Sequence, residues 1–284
     1  HMPDHPHWTQ CRAALRHLLT ARRFGVISDF DGTLSHFVVD ASFAQPTPAA
    51  AAALTALIQR GATVALVSGR TVADLRTRFA HSAVLYYGNH GLEHWQNGAV
   101  QVVPEARQWV APLRALLAEL TVPAGSGIVV ENKGVTASVH YRAAADPAAV
   151  GAMLAAQLQP LGARYGLRLS AGNRIWEIKP PVALDKGTAT RAIVQARQLD
   201  SVIFCGDDTT DLSAMAALRQ MRAAGELPLA LVVGVVHRQG TPPGLLDQSD
   251  LTANGPDDVA GLLAWLAARL PTGQTSAAGA ERRG

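Results

Sequence analysis

Short apolar runs alternate with longer segments of helical spacing in the N-terminal third of the chain. The runs at residues 24–28, 63–67 and 84–87 are typical of strands that are buried on both faces of a parallel sheet. Strands that alternate with helices in this way predict an α/β fold with a doubly wound parallel sheet. Apolar residues three and four positions apart predict the helices of this region, at residues 8–22, 47–60 and 71–79.

The pattern changes after residue 105 and returns near residue 182. Between these points, two pairs of strand-like runs surround a helical segment, which predicts an inserted α+β domain with a mainly antiparallel sheet. Its predicted helices are residues 105–120 and 146–158, and its predicted strands are residues 127–132, 135–142, 167–170 and 174–178. The α/β pattern then resumes with predicted helices at residues 185–198 and 256–270 and strands at 201–205, 229–233 and 250–252.

These segments predict a division of the chain into two domains. We expect an α/β core made of residues 1–105 and 182–272, interrupted by the inserted domain at residues 106–181. Residues 273–284 are small and polar, and we predict that this tail is disordered.

The polar residues at the end of the first strand are the strongest chemical signal. Asp29 and Asp31 lie one residue apart directly after an apolar run, and in an extended segment their side chains point to the same side. Two buried carboxylates are costly unless something positive binds between them. At the carboxyl end of a parallel strand, where α/β sheets hold ligands, this pair predicts a divalent-metal site with a nucleophile.

Other predicted strand ends and helix starts carry residues that suit a phosphate. Ser68 and the backbone amides of Gly69 and Arg70 open a helix, where N–H groups favour an anion. Lys186 opens another helix and could neutralise a phosphoryl oxygen. Three further carboxylates supply oxygen ligands of the type that Mg²⁺ prefers: Asp207, Asp208 and Asp211. Each motif alone also fits a cap or a solvated turn, but together, in this order, they predict phosphoryl transfer.

Composition narrows the class of protein without choosing a substrate. The 284 residues are 48% hydrophobic and 17% charged, an ordinary globular balance. A formal net charge of +3 is too small to indicate nucleic acid, although it suits a phosphorylated substrate. No stretch is typical of a membrane span or a secretory signal, and two cysteines do not make a disulfide framework. We therefore expect a cytoplasmic protein that is a monomer, with a dimer as the alternative.

The motifs DFDGTL, VSGR, DKG and GDDTTD resemble those of the haloacid dehalogenase-like superfamily of phosphotransferases. The resemblance implies a Rossmann-like core in which Asp29 is the nucleophile and Asp31 the general acid/base. It also implies that Ser68 and Lys186 hold the phosphate. The Mg²⁺ ligands would be Asp29, Asp207 and the backbone carbonyl of Asp31, supported by Asp208 and Asp211. The insertion corresponds to a cap domain, which in that superfamily closes over the site and confers specificity.

The inserted domain carries a polar strand face whose meaning the pattern alone leaves open. Such a face is either solvated or a surface that binds a hydroxyl-rich ligand such as a sugar. The segments VENKGVTASVHYR, GNHG and EIKPPVALDKG resemble those of trehalose-6-phosphate phosphatases, which implies the second reading. The substrate-binding residues implied by this resemblance are Arg70, Asn89, His90, Glu131, Lys133, His140, Arg142 and Glu177.

The resemblance implies a Mg²⁺-dependent phosphatase that converts trehalose 6-phosphate to trehalose and phosphate through an aspartyl-phosphate. One alternative is a phosphatase for another sugar phosphate, such as sucrose phosphate or a pseudo-disaccharide phosphate. The other is a non-catalytic sensor of sugar phosphates. The combination of Asp29, Asp31, Lys186 and Asp207 favours an enzyme over the sensor, because a sensor has no need of all four.

Overall fold

The structure is a computed structural model that describes residues 5–273. These residues divide into two compact units, one made of the chain up to Gly91 and from Leu184 onward, the other of Leu92–Ala183. The predicted insertion, residues 106–181, falls within the second unit. Of the tail predicted for residues 273–284, all but Gly273 lies outside the described residues, as do residues 1–4.

Residues 5–273 contain strands and helices, together with four 3₁₀ turns. The strands are β1 (Phe24–Ser28), β2 (Thr63–Val67), β3 (Leu85–Gly88), β4 (Glu93–Gln96), β5 (Ala99–Val102), β6 (Val129–Asn132), β7 (Ala137–His140), β8 (Arg168–Gly172), β9 (Ile175–Lys179), β10 (Ser201–Gly206), β11 (Leu229–Val236) and β12 (Leu251–Asn254). The helices are α1 (Arg12–Leu18), α2 (Pro48–Gln59), α3 (Val72–Arg78), α4 (Pro104–Arg107), α5 (Val110–Glu119), α6 (Pro147–Tyr165), α7 (Lys186–Ala196), α8 (Leu212–Ala223), α9 (Leu245–Gln248) and α10 (Gly255–Arg269). The 3₁₀ turns are Trp8–Gln10, Ala41–Phe43, Asn89–Gly91 and Thr209–Asp211.

The first unit is organised around a parallel sheet, and the predicted α/β fold is confirmed. Its strands lie in the order β12, β11, β10, β1, β2, β3. The central strand β1 is buried along its whole length, as expected for a strand covered on both faces by helices. Ser28, the last residue of β1, lies opposite Cys205 on one neighbour and Leu66 on the other. The residues after these strands therefore emerge side by side at one edge of the sheet.

The second unit contains a separate antiparallel sheet with the strand order β6, β7, β9, β8. Helices α5 and α6 pack against its apolar residues to form this unit's core. That core consists of Leu113, Leu116, Ala137, Val139, Leu154, Leu158, Leu161, Leu167 and Ile178. The neighbouring residues of β7 alternate with these and are polar, so one sheet face is apolar and the other is not.

Several elements differ from the predictions in ways that have a local cause. Helix α6 continues past Pro160 to Tyr165 and ends at Gly166, whose left-handed conformation makes a C-cap. Proline inside a helix costs about 3 kcal/mol. The extension also brings Leu161 into the buried core, and this burial offsets part of that cost.

Sequence reasoning missed the hairpin of β4 and β5 and the helix α8. The hairpin turns at Asn97 and Gly98, which both have positive φ, and Asn-Gly is the strongest short hairpin signal in a sequence. Helix α8 buries Met215 and Leu218, whose spacing also predicts a helix. The single helix predicted at residues 105–120 is in fact two, α4 and α5. No helix among residues 5–273 combines the length and the apolar composition that crossing a membrane requires.

Candidate active site

Asp29 lies directly beyond the end of β1 and is joined to Asp211 through the buried side chain of Lys186. Its backbone N–H donates to the carbonyl of Cys205 on the neighbouring strand at 2.9 Å, which fixes its place at the sheet edge. The ammonium of Lys186, the first residue of α7, donates to Asp29 Oδ1 at 2.9 Å and to Asp211 Oδ1 at 2.8 Å. All three side chains are buried. One cation therefore bridges two carboxylates in the core of the first unit.

The negative charge of this cluster exceeds what Lys186 neutralises. Burial and the nearby carboxylate of Asp211 raise the pKa of Asp29 well above its ordinary value, and the charge of Lys186 only partly opposes this. For Lys186, burial lowers the pKa, but Asp211 and Asp29 more than compensate, so the lysine remains protonated. A group of carboxylates that resists full ionisation favours a bound cation.

Asp207 lies next to this cluster and is also buried. Burial is the largest cause that raises its pKa to about 6. Its Oδ1 atom is 3.4 Å from the hydroxyl of Thr33, and its Oδ2 atom is 3.1 Å from Nε2 of His237. Gly32 makes room for it, because a Cβ atom at that position would lie 2.1 Å from Asp207 Oδ2, and the φ of Gly32 is +75°. The glycine of the first motif is therefore required by both space and backbone conformation.

The carboxylates of Asp29, Asp207 and Asp211 fit a divalent metal ion. One oxygen from each lies within 4.8 Å of the others, and all three residues are buried. Oxygen donors and excess negative charge are what Mg²⁺ sites offer. The side chains of two other predicted metal residues do not belong to this group. Asp208 is exposed, and its backbone N–H donates to Asp211 Oδ2 at 3.0 Å. The side chain of Asp31 pairs with an arginine instead.

The loops after β2 and β3 are joined by backbone hydrogen bonds around Ser68. The N–H of His90 donates to the carbonyl of Ser68 at 2.9 Å, and the N–H of Asn89 donates to that of Arg70 at 2.8 Å. Both Asn89 and His90 have left-handed φ values, 49° and 58°. The His90 ring packs so closely that a Cβ on Gly69 would lie 2.6 Å from its Cε1 atom. The predicted site residues of these two loops therefore lie close together in the first unit; they are Ser68, Arg70, Asn89 and His90.

Arg70 contacts the carboxylate of Asp31 through two parallel hydrogen bonds. Its Nε donates to Asp31 Oδ2 at 2.7 Å and its Nη2 to Asp31 Oδ1 at 2.6 Å. Burial lowers the pKa of Arg70, but the hydrogen bonds and charges of Asp31 and Asp74 raise it above the ordinary value. The guanidinium therefore stays charged and its fork fixes the plane of the Asp31 carboxylate.

The polar face of the second unit's sheet brings the predicted sugar-binding residues Glu131, His140 and Glu177 into neighbouring positions. Ser138 of β7 lies opposite Glu131 of β6 and opposite Glu177 of β9, so these side chains form a row across the sheet. The Ser138 hydroxyl is 3.3 Å from Glu177 Oε1, and His140 Nε2 is 3.2 Å from Glu131 Oε2. Lys133 directly follows β6, and Arg142 is exposed two residues after β7.

Three residues that contact the predicted site were missed by sequence reasoning. His237 follows β11, the strand beside β10, and Thr33 belongs to the DFDGTL motif itself. Asp74 lies in the first turn of α3 and pairs with Arg70, which precedes the helix; its spacing from Arg78, four residues later, predicts an ion pair on a helix. The strand-end rule that found Asp29 also applies to His237, because β11 is a parallel strand of the same sheet.

Comparisons with known proteins identify the relatives of this chain. The sequence profile of the trehalose-phosphatase family matches residues 27–239. A trehalose-phosphate phosphatase of Mycobacterium marinum is 37% identical over 213 residues, which are 70% of this chain and 53% of that protein. An uncharacterized glycosyl hydrolase of Mycobacterium tuberculosis is 36% identical over 229 residues, 75% of this chain and 17% of that protein. The chain thus spans about half the length of the first relative and less of the second.

Solved structures resemble the fold at lower sequence identity. The C-terminal domain of a Candida albicans trehalose-6-phosphate phosphatase aligns with a TM-score of 0.73 and 21% identity, covering 93% of this chain and 98% of that one. An Aspergillus fumigatus trehalose-6-phosphate phosphatase aligns with a TM-score of 0.61 and 23% identity, covering 93% and 99%. At these identities the likeness concerns the fold alone.

Proposed function

Since the chain belongs to the trehalose-phosphatase family, we propose that it hydrolyses trehalose 6-phosphate to trehalose and phosphate. The observation that carries this proposal is the buried cluster in which Lys186 joins Asp29 to Asp211 at the end of the central strand. Phosphoryl transfer requires mainly positioning and charge neutralisation, and this cluster offers a carboxylate nucleophile beside a fixed cation. The name of the Mycobacterium marinum relative supports the choice of substrate.

In the first proposed step, an Asp29 oxygen forms a bond to phosphorus while the bond from phosphorus to the sugar oxygen breaks. Asp31, acting as an acid, donates its proton to that oxygen and trehalose leaves as the alcohol. The phosphoryl group remains on Asp29 as an aspartyl-phosphate. Lys186 reduces the repulsion between the carboxylate and the anionic phosphate, because its ammonium lies 2.9 Å from Asp29 Oδ1.

In the second proposed step, water replaces the aspartate. The carboxylate of Asp31 takes a proton from a water molecule, the water oxygen forms a bond to phosphorus, and the bond to Asp29 breaks. Phosphate leaves and both aspartates return to their starting states. Ser68 and the N–H groups that follow it would hold the phosphate oxygens during both steps.

We propose that Mg²⁺ is held by Asp29, Asp207 and the backbone carbonyl of Asp31, with Asp208 and Asp211 in support. The three buried carboxylates within 4.8 Å of one another favour such an ion over a purely structural role. When bound, Mg²⁺ would screen the negative charge that nucleophile and phosphate share. The chain's own part is to keep these oxygens together, which Lys186 does for Asp29 and Asp211.

We propose that the sugar is recognised by polar residues of the second unit, chiefly the row of Glu131, Ser138 and Glu177. Carboxylates accept hydrogen bonds from sugar hydroxyls, and charge-assisted bonds of this kind are among the stronger ones. Residues that would add donors and acceptors to this surface or to the phosphate loops are Asn89, His90, Lys133, His140 and Arg142. A solvated face remains the alternative, and substitutions of Glu177 would separate the two.

The substrate is tested by measuring phosphate release from a panel of sugar phosphates, with Mg²⁺ and with EDTA. We expect the highest kcat/KM for trehalose 6-phosphate and no turnover in EDTA. A higher kcat/KM for sucrose phosphate or a pseudo-disaccharide phosphate would favour the related phosphatase. Binding without phosphate release from any member would favour the sensor.

The compartment and the oligomeric state stay predictions. We propose that the enzyme works in the cytoplasm, where Cys11 and Cys205, both buried and free, would remain reduced. We expect a monomer in solution. Light scattering on the purified chain would reveal a dimer if one forms.

A further inference from the structure

Asp74 pairs with two arginines that also bind the backbone of the loop following β1. Arg70 Nη1 donates to Asp74 Oδ2 at 2.9 Å, and Arg78 Nε donates to the same oxygen at 2.7 Å. The same arginines also donate to the backbone of this loop, Arg70 to the carbonyl of Ala41 at 2.9 Å and Arg78 to that of Ser42 at 3.0 Å. Helix α3 and the loop at residues 41–44 are thereby held together by charged side chains.

Arg70 extends this network to Asp31. Its guanidinium donates to both oxygens of the Asp31 carboxylate, lies over the ring of Phe30 with its central carbon 5.5 Å from the ring centroid, and is 13% exposed. The Asp31 side chain itself is 40% exposed. A half-exposed carboxylate on a short side chain can rotate, whereas the two parallel bonds from a fixed guanidinium hold it in one orientation.

We propose that Arg70, anchored by Asp74, is a positioning residue that orients the Asp31 carboxylate for proton transfer. The inference rests on the proposed function, in which Asp31 donates a proton to the leaving sugar oxygen and later takes one from water. It assigns Arg70 a role toward Asp31 in place of direct substrate binding, and it gives a role to Asp74.

The physical reason is that proton transfer depends on placement. A general acid must lie within hydrogen-bond reach of the atom that it protonates. A displacement of about 1 Å can reduce a rate about 100-fold. Asp74 fixes Arg70 from the opposite side, so the orientation of Asp31 depends on a residue in the first turn of α3. Loss of either member of this pair should slow the steps in which Asp31 moves a proton.

The test compares two leaving groups in single turnovers with enzyme in excess. A sugar alkoxide needs a proton as its bond to phosphorus breaks, whereas p-nitrophenolate is a stable anion and leaves without one. In Arg70→Lys, which keeps the charge and loses the fork, we expect trehalose formation from trehalose 6-phosphate to slow about 10- to 100-fold. Release of p-nitrophenolate from p-nitrophenyl phosphate should stay close to the wild-type rate, because only the first step is observed.

Two further variants separate positioning from structural damage. Asp74→Asn should slow trehalose formation by a smaller factor and should again leave the release of p-nitrophenolate close to the wild-type rate. The reason is that Arg70 keeps both hydrogen bonds to Asp31 but loses the carboxylate that anchors it. Arg78→Lys is the matched control, because Arg78 pairs with the same Asp74 and the same loop. Within the described residues, Arg78 bonds to Asp74, Ser42 and Ala44 and not to Asp31, so this variant should leave the ratio of the two rates at the wild-type value. Circular dichroism spectra would establish that all three variants fold.

Several outcomes would overturn the inference. Equal slowing of both substrates in Arg70→Lys would indicate structural damage or a role in holding the phosphate. A raised KM with an unchanged kcat for trehalose 6-phosphate would make Arg70 a substrate ligand, and an unchanged or faster single turnover would exclude positioning altogether. If the wild-type enzyme does not hydrolyse trehalose 6-phosphate, the proposed substrate is wrong. The same comparison then uses whichever sugar phosphate of the panel is hydrolysed.

Discussion

In the first unit, Lys186 joins Asp29 and Asp211 through hydrogen bonds of 2.9 and 2.8 Å inside a fully buried cluster. In the second unit, Glu131 and Glu177 lie on the polar face of a small sheet, with hydrogen bonds of 3.2 and 3.3 Å. The first arrangement is set before any substrate arrives, which suits electrostatic catalysis. The second leaves carboxylates accessible for bonds to a ligand. We infer that the chemistry is preorganised in one region while the choice of substrate is left to the other.

The largest expected effect concerns the nucleophile. Asp29→Asn should reduce turnover by about 10⁴-fold or more, because the carboxylate that we propose as the nucleophile is gone. Stability should not fall, since burial and the charge of Asp211 already disfavour the ionised form of Asp29. Steady-state kinetics with Mg²⁺ would measure the loss of turnover, and thermal unfolding without Mg²⁺ would measure the stability. The control is Asp247→Asn, a change at an exposed position of α9. Substantial activity in Asp29→Asn would contradict the assignment of the nucleophile.

A second prediction compares the same substitution in the two regions. Lys186→Met leaves two buried carboxylates without their cation, and removing one member of a buried pair costs about 3–5 kcal/mol. Lys133→Met in the second unit should change the free energy of unfolding by less than about 0.5 kcal/mol. Urea unfolding of both variants measures the difference. Similar changes in the free energy of unfolding for the two variants would mean that Lys186 does not stabilise the buried cluster of the first unit.

A third prediction concerns His237, whose Nε2 lies 3.1 Å from Asp207 Oδ2 and whose ring packs against Phe37 at 4.8 Å between centroids. If His237 orients Asp207, His237→Ala should weaken Mg²⁺ binding about 10- to 100-fold, as is usual when a partner of a metal ligand is lost. Isothermal titration with Mg²⁺ and no substrate measures this directly. His17→Ala, at an exposed position of α1, is the control and should bind Mg²⁺ like the wild type. Unchanged affinity in His237→Ala would exclude the role.

The smallest expected effect lies in the second unit. Glu177→Gln should raise the KM for trehalose 6-phosphate about tenfold, because the proposed charge-assisted hydrogen bond from Glu177 to the sugar becomes a neutral one. Hydrolysis of p-nitrophenyl phosphate should stay at the wild-type rate, since that substrate carries no sugar. Glu105→Gln, an exposed change in α4, should alter neither. A KM for trehalose 6-phosphate that does not change would indicate that this face is merely solvated.

Much of the fold could be predicted from local pattern. Strands β1 and β2 begin and end where the apolar runs predict, because a strand buried on both faces needs an uninterrupted apolar run. Helix α2 also agrees, since Thr47 accepts a hydrogen bond from the backbone of Ala50 and Pro48 follows at the first helical position. The hairpin at Asn97 and Gly98 was equally predictable from its turn but was missed.

The candidate site was predictable as a set of residues but not as a set of contacts. The motifs placed Asp29, Lys186 and Asp211 at strand ends and helix starts, where a parallel sheet brings such residues to one edge. They did not indicate that Lys186 would bridge the other two, because residues 157 and 25 positions apart meet only through the fold. They also did not indicate that Arg70 would pair with Asp31.

Local patterns were enough to predict the alternation of strands and helices, the acidic strand end and the place of each candidate phosphate-binding motif, because backbone preference and burial act over a few neighbouring residues. Which charges meet depends on how the folded chain packs. Strand order places β10 beside β1, and with it Asp207 and Asp211 beside Asp29. It also turns Arg70 toward Asp31 and His237 toward Asp207. Electrostatic energy depends on distance in space, and that distance is set by packing rather than by position along the chain.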